Sequence, residues 1–163
     1  MTSSNKKGST IILNSGSLNH VCLSKADKFG KFSLYYIVGQ GNRSFRELER
    51  ISMELCKTEG IENPKLPWKI DEKTGMASII AASRNAVPLA DSAGNKVDPK
   101  LARNGEFCKI SVTPSTYHIE EQSSYVTPDG LRHPIVNVKE GVNLFLNGVK
   151  LIDNTTTPEE LFG

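Results

Sequence analysis

Histidine and cysteine are the residues of this 163-residue chain that are best suited to metal binding or nucleophilic chemistry, and there are three of each. None of them stands at the Cys-x-x-Cys or His-x-x-x-His spacing with which zinc ligands commonly occur. The six residues are His20, His118, His133, Cys22, Cys56 and Cys108. We therefore expect no metal site, no cofactor and no catalytic residues.

One enzymatic alternative stays open, because a nucleophile and its base can be distant in sequence. It would pair Cys22 or Cys108 with His118. Both cysteines lie in apolar stretches, where buried and inert thiols are more common. Their odd number and wide separation favour free thiols in a reducing cytosol.

Aromatic and basic side chains occur together at several predicted strand positions. The pairs are Lys31 with Tyr35, Lys69 with Trp68, and Lys109 with Phe107. Single-stranded nucleic acid is bound by such sets, because rings stack on bases at about 1–3 kcal/mol each while cations contact phosphates. The alternative is packing: Tyr35 and Phe107 in a small core or a dimer interface, and Trp68 as the anchor of its loop.

The net charge is small, at +2, but it is unevenly distributed. Residues 1–50 contain eight basic and three acidic side chains, whereas the remainder contains twelve and fifteen. This asymmetry permits a basic groove for a polyanion and excludes a strongly basic protein that coats duplex DNA. No apolar run approaches the roughly 20 residues that cross a bilayer, so we expect no membrane partner.

Alternating apolar residues predict the strands that position these side chains. In 29–38, Phe32, Leu34, Tyr36 and Val38 share one face. Further strands are expected at 9–23 (or a hairpin with a turn at 14–17), near Trp68, at 76–82, at 106–113 and at 142–151 with a bulge at Gly148. A break is expected at Pro114, and 128–130 forms a turn.

A helix is predicted over residues 43–59, with Ser44 and Glu47 as its capping box and Gly60 at its end. One helix with five or six strands and long loops indicates a mainly β fold. The expected architecture is an OB-fold-like five- to six-stranded barrel, although composition does not separate it from a sandwich.

Three stretches of the chain resemble single-stranded DNA-binding proteins of tailed bacteriophages, of the short-tailed-phage type and its relatives. The first is Leu66-Pro67-Trp68-Lys69-Ile70-Asp71-Glu72, which leads into a short strand. The second, Asn104-Gly105-Glu106-Phe107-Cys108-Lys109-Ile110, has Tyr117 downstream. The third is Gly141-Val142-Asn143-Leu144-Phe145-Leu146-Asn147-Gly148-Val149-Lys150-Leu151-Ile152.

The resemblance implies an OB-fold that binds single-stranded DNA without sequence preference in phage DNA replication, recombination and repair, in the cytoplasm of the bacterial host. We expect the groove to be lined by Lys31, Tyr35, Trp68, Lys69, Arg84, Phe107, Lys109 and Tyr117. The resemblance further implies an acidic C-terminal tail that recruits the phage DNA polymerase and helicase/primase. In this chain its residues would be Glu159, Glu160 and Phe162. A homodimer is compatible with this pattern.

The expected organisation is a flexible N-terminus (1–8), one OB-fold-like domain (9–152) and a flexible, weakly acidic tail (153–163). Two further alternatives remain. In the first, the chain is a phage structural or adaptor β-barrel that uses the same aromatic residues for protein contacts. In the second, the chain binds single strands as described but prefers RNA, since stacking does not distinguish the sugars.

Overall fold

A computed structural model describes residues 3–4 and 7–152 of the chain, with side chains from residue 7 onward. It contains eight strands and one α-helix in these ranges. They are β1 (Ser3–Ser4), β2 (Ile11–Cys22), β3 (Phe32–Gly39), α1 (Arg43–Thr58), β4 (Trp68–Ile70), β5 (Met76–Ser83), β6 (Leu89–Ala90), a 3-10 turn (Pro99–Leu101), β7 (Phe107–Val126) and β8 (Arg132–Leu151).

Five of the strands close into a ring in the order β7, β2, β3, β5 and β8, because β8 pairs back onto β7. Neighbours are antiparallel except β5 and β8, which pair in parallel at Ala82 and Phe145. The shorter strands β1, β4 and β6 extend the sheet at β7, β5 and β8. The chain is therefore mainly β with an OB-like barrel, as the sequence predicted.

The barrel interior is filled by alternate residues of the ring strands. Leu34, Tyr36 and Val38 of β3 are buried, and the intervening side chains are not. In β7 the buried residues are Cys108, Ile110 and Val112, and in β8 they are Leu144, Leu146 and Val149. In β8 the alternation is interrupted between Leu146 and Val149. Ser111 pairs with Gly148 but Val112 pairs with Leu146, so β8 has one extra residue here, which confirms the bulge expected near Gly148.

A second bulge lies in β2, where the sequence left a hairpin turn as an alternative. The register with β7 shifts between Leu13 and Gly16, and Ser15 has a positive φ of 61°. The strand continues on both sides of the bulge, so Ile11–Cys22 is one bent strand rather than a hairpin. Inside the bend, the Tyr36 hydroxyl accepts a hydrogen bond from Gly16 N at 2.9 Å and donates to the Cys108 carbonyl.

Helix α1 begins after Asn42, which corrects the predicted capping box. Asn42 Oδ1 accepts hydrogen bonds from Phe45 N at 3.1 Å and from the Ser44 hydroxyl. The Glu47 side chain instead pairs with Arg50 in the next turn. Because the N-cap is Asn42 and not Ser44, the capped N–H group is that of Phe45 and not that of Glu47. The helix buries Phe45, Leu48, Ser52 and Cys56.

Pro114 lies inside β7, so the predicted strand break at this residue is wrong. Its carbonyl accepts from Gly8 N at 2.8 Å, on the side of the strand away from β8. The N–H and C=O of one strand residue point to the same side, so the missing proline N–H removes no bond to β8. The strand continues to Val126, and the turn at 127–131 joins it to β8 as a long hairpin arm of residues 119–140.

The chain ends were expected to be flexible. Within residues 1–8, β1 pairs with His118 and Ile119 of β7, and Lys7 forms a bridge with Ser115. The predicted tail 153–163 lies outside the described residues. In the described part of the chain, no helix is long and apolar enough to cross a membrane.

Candidate nucleic-acid interface

One cross-strand row on the outside of the barrel joins two of the predicted site residues, Phe107 and Lys69. Strand pairing places Phe107 opposite Ser17, Ser17 opposite Ile37, Ile37 opposite Ser78, and Ser78 opposite Lys69. Directly opposed residues project from the same face of a sheet, so the row runs over β7, β2, β3, β5 and β4. At about 4.8 Å per strand it spans roughly 19 Å along the sheet.

Tyr35 lies on this outward face, two residues from Ile37 and about 7 Å along β3. It is opposed by Asn19 on β2 and by Ile80 on β5. Its ring is 37% exposed and meets the His20 ring edge to face at a centroid distance of 5.2 Å. Tyr35 and Phe107 (54% exposed) therefore project from the same outer surface rather than into the core.

Next to Phe107, two lysines extend the basic part of this surface. Lys109 follows Phe107 on the same face of β7, and its direct partner on β8 is Lys150. Both are exposed. Like charges directly opposite each other destabilise a sheet, so this pair is unfavourable for the fold in the absence of a polyanion.

Lys31 and Arg84 mark the other end of the surface. The β3–β5 ladder ends with Phe32 opposite Ser83. Lys31 precedes the first of these residues and Arg84 follows the second, and both are exposed. We define the candidate interface as the outer surface of β2–β5 and of the start of β7, together with Lys150 of β8. It extends from Lys31 and Arg84 through Tyr35 to Lys69, Phe107 and Lys109.

The cations of the candidate interface are free to meet an anion. No salt bridge among the described residues involves Lys31, Lys69, Arg84, Lys109 or Lys150. By contrast, α1 neutralises two of the basic residues that make the first fifty positions cationic. Arg46 pairs with Glu49 at 3.1 Å, and Arg50 pairs with Glu47 and Glu54.

Trp68 and Tyr117 are not brought together with the other predicted site residues. Trp68 is opposed by the buried Ile79, faces away from Lys69, and meets the Phe45 ring edge to face at 5.6 Å. This contact is the anchoring role that the sequence left open for Trp68. Tyr117 lies ten residues beyond Phe107, roughly 33 Å along β7, in a cleft with Pro64, Lys65 and Val138.

The remaining chemistry-bearing residues do not form the Cys–His pair considered from the sequence. His118 accepts or donates hydrogen bonds at both ring nitrogens, to Glu140 at 2.8 Å and Glu120 at 3.2 Å. Cys108 is buried ten residues away on the same strand, and burial raises the pKa of its thiol to about 12. Among the described residues no group of three or more His, Cys, Asp or Glu side chains could hold a metal ion.

Two residues of the surface were missed by the sequence analysis. His20 has a positive φ of 45° at the second register shift of β2, which turns its ring toward Tyr35. Lys150 reaches the outer face because the β8 bulge inverts the alternation before it. The sequence contains the signal for Lys150, because a bulge at Gly148 shifts residue 150 from the inner to the outer face of the strand. The tail residues Glu159, Glu160 and Phe162 lie outside the described residues.

Sequence comparison gives no relative. No family model matches the chain, and no curated protein matches it significantly.

Solved structures of phage proteins do match it. The single-stranded DNA-binding protein of bacteriophage Enc34 in complex with ssDNA has a TM-score of 0.64 at 13% identity, covering 94% of this chain and 89% of that one. A C-terminal truncation of the Enc34 protein gives 0.60 at 13% identity, over 87% and 84%. The single-stranded DNA-binding protein gp2.5 of bacteriophage T7 gives 0.54 at 12% identity, over 98% and 93%.

These structures match over nearly their whole length, so the likeness extends beyond a barrel shared by many proteins. The resemblance predicted from the sequence is confirmed at the level of structure: the chain has the fold of the single-stranded DNA-binding proteins of these bacteriophages.

Proposed function

We propose that this chain is a non-enzymatic, sequence-independent single-stranded DNA-binding protein that serves phage DNA replication, recombination and repair in the cytoplasm of the bacterial host. The observation that carries the proposal is the candidate interface. Two exposed aromatic rings and five cations that form no salt bridge among the described residues lie on the outer surface of the barrel. The barrel is similar to that of the Enc34 protein, whose structure is known in complex with ssDNA.

The chemistry of this surface fits an unpaired strand better than a duplex. Phe107 and Tyr35 offer ring faces to unstacked bases, while Lys69 and Lys109 lie within reach of the phosphates that connect those bases. The serine and isoleucine side chains between them, as at Ser17 and Ile37, make no base-specific demand. Binding is therefore expected to tolerate any sequence and to weaken with salt at a slope of about −0.7 per neutralised phosphate.

The test is a salt series of oligo-dT binding by wild type, Phe107→Ala and Lys69→Ala. Phe107→Ala should lower affinity about 5- to 100-fold at every salt concentration, because it removes a stack worth about 1–3 kcal/mol. Lys69→Ala should reduce the salt slope by about 0.7. A wild-type protein without salt-sensitive oligo-dT binding would contradict the proposal. If such a protein formed oligomers that survive high salt, the structural or adaptor alternative would be favoured.

Two finer parts of the proposal need their own measurements. Competition of oligo-dT against oligo-rU decides between DNA and RNA. Recruitment of the phage DNA polymerase and helicase/primase, and homodimerisation, are proposed to depend on Glu159, Glu160 and Phe162. Removing residues 153–163 should abolish these partner contacts without abolishing oligo-dT binding.

A further inference from the structure

The loop between β2 and β3 presents an aromatic side chain that no packing requirement of the fold explains. Phe29 is 74% exposed, more than any other large hydrophobic residue in the described ranges. An exposed phenylalanine gains little burial energy, so the fold itself does not require a ring at this position.

The turn that holds Phe29 is a rigid one. Asp27 Oδ1 accepts hydrogen bonds from Phe29 N at 2.8 Å and Lys31 N at 3.0 Å. Asp27 N donates to the Lys31 carbonyl at 2.8 Å, and Gly30, with a φ of +75°, donates to the Asp27 carbonyl at 2.9 Å. These four bonds restrain the backbone on both sides of Phe29, so the backbone of the turn has little conformational freedom left to lose on binding.

The same turn occurs a second time in the chain without an aromatic residue. At Asp91, the carboxylate accepts from Ala93 N at 3.0 Å and Asn95 N at 2.8 Å, Asp91 N donates to the Asn95 carbonyl, and Gly94 N donates to the Asp91 carbonyl. Ala93 occupies the place that Phe29 has in the first turn. The turn consequently needs its aspartate and glycine but not a ring at this position.

The Phe29 turn is also basic and lies next to the candidate interface. Lys28 Nζ stands over the Phe29 ring at 5.1 Å from the centroid. Lys31 closes the turn and leads into β3, where Arg84 flanks the same end of the β3–β5 ladder. The turn therefore extends the surface on the side of Tyr35 away from Phe107.

We propose that Phe29 is a further stacking platform, which takes a base of the single strand beyond Tyr35 while Lys28 and Lys31 contact the adjoining phosphates. This inference rests on the proposed function. It extends the DNA-binding site beyond Tyr35, at the end marked by Lys31 and Arg84. A bound single strand would contact the row of Phe107 and Lys69 at one end of the site. It would contact the Asp27–Lys31 turn at the other end.

The experiment compares wild type with Phe29→Ala on oligo-dT of increasing length. The substitution reproduces the residue that the Asp91 turn already carries, so the fold is expected to be unchanged, and Met53→Ala on the exposed side of α1 is the matched control. Phe29→Ala should lower affinity about 5- to 100-fold for strands long enough to reach the turn. It should leave the affinity for the shortest binding strands within about twofold.

Three outcomes are decisive for the Phe29 inference. Equal affinity of wild type and Phe29→Ala at all lengths overturns it, and so does an equal loss at all lengths, because the effect would then lie in the barrel. Phe29→Trp should retain wild-type affinity and add fluorescence quenching on DNA binding; retained affinity without added quenching also overturns it. If the proposed function were wrong, wild type itself would not bind oligo-dT. Failure of the Phe29 inference is therefore distinguishable, because wild type would still bind.

Discussion

Lys109 and Lys150 oppose each other directly on β7 and β8, with both side chains exposed beside Phe107. Two ammonium groups in this arrangement repel each other, at a cost of about 0.2–1 kcal/mol to the fold. In the proposed function this pair contacts the phosphate backbone. The pair would then be unfavourable for folding and favourable for anion binding, so that function opposes stability at this place.

The first prediction follows from this opposition. Lys150→Ala should raise the free energy of unfolding by up to about 1 kcal/mol while reducing the salt slope of oligo-dT binding by about 0.7. Denaturant melts and salt titrations measure the two effects separately. Lys57→Ala, on the last turn of α1, is the control: it should leave the salt slope unchanged, and it should not raise the free energy of unfolding, because a cation at a helix C-terminus is stabilising. Loss of both stability and binding in Lys150→Ala would contradict the argument.

The second prediction concerns the hydroxyl of Tyr36 in the barrel interior. It accepts from Gly16 N and donates to the Cys108 carbonyl, so Tyr36→Phe leaves a buried N–H group and a buried carbonyl without this partner. The expected loss is about 1–3 kcal/mol of unfolding free energy. The neighbouring Tyr35→Phe is the control, because Tyr35 is on the outer face and keeps its ring for stacking. Equal stabilities of the two variants would contradict this assignment.

The third prediction is a pH dependence at His118. Hydrogen bonds to Glu120 and Glu140 raise the pKa of its imidazole above 6.5. The protonated ring is therefore favoured in the folded state, and its stabilising effect is complete below about pH 6.5 and lost as the pH rises through the raised pKa.

The measurement for His118 is the free energy of unfolding of wild type and His118→Gln between about pH 6 and pH 9. The difference between the two proteins should be largest at the acidic end and shrink toward the alkaline end. A difference that grows with pH would show that the neutral ring is the favoured form. His133→Gln, in the hairpin arm, controls for the general effect of removing an imidazole.

The fourth prediction separates the three cysteines. Burial raises the pKa of the thiols of Cys108 and Cys56, so neither should react with a thiol reagent while the protein is folded. Cys22 is half-buried and pairs with Ser33 on the outer face of β3, so it should react first. Bound oligo-dT should slow this reaction. Peptide mapping after short labelling would show it, with Cys22→Ser as the control.

The strands and the helix were predictable because each depends on the spacing of apolar residues within one short segment. Phe32, Leu34, Tyr36 and Val38 alternate along a single segment, and burial of one face follows from that alternation alone. The break at Pro114 was a local inference of the same kind, and it failed because a proline is tolerated where its nitrogen faces away from the neighbouring strand. Gly8, which occupies that side, is more than a hundred residues away in sequence.

The site was only partly predictable because it depends on pairing between distant segments. Phe107 and Lys69 share a row through the register of four strand pairs, which no single segment encodes. Trp68 and Lys69 were both expected in the groove. Adjacent residues of a strand face opposite sides of the sheet, so only one of the two side chains can face the groove. The β4–β5 register decides between them: Trp68 is opposite the buried Ile79, and Lys69 is opposite Ser78 on the outer face.

The last prediction concerns the hairpin arm of residues 119–140. Beyond the pairing of β1 with His118 and Ile119, no described strand other than β8 pairs with this part of β7. Two-stranded hairpins are marginally stable by themselves, and most side chains of the arm are exposed. The arm should therefore open locally, at a free-energy cost well below that of unfolding the barrel.

Amide hydrogen exchange of wild type and Tyr36→Phe tests this difference. The substitution should increase exchange at the most protected amides of β3 and β7, because these open by global unfolding and the barrel has lost about 1–3 kcal/mol. It should leave exchange in 122–126 and 132–136 unchanged, since the arm opens without the barrel. If the arm amides followed the barrel amides in both proteins, the arm and the barrel would unfold as one cooperative unit.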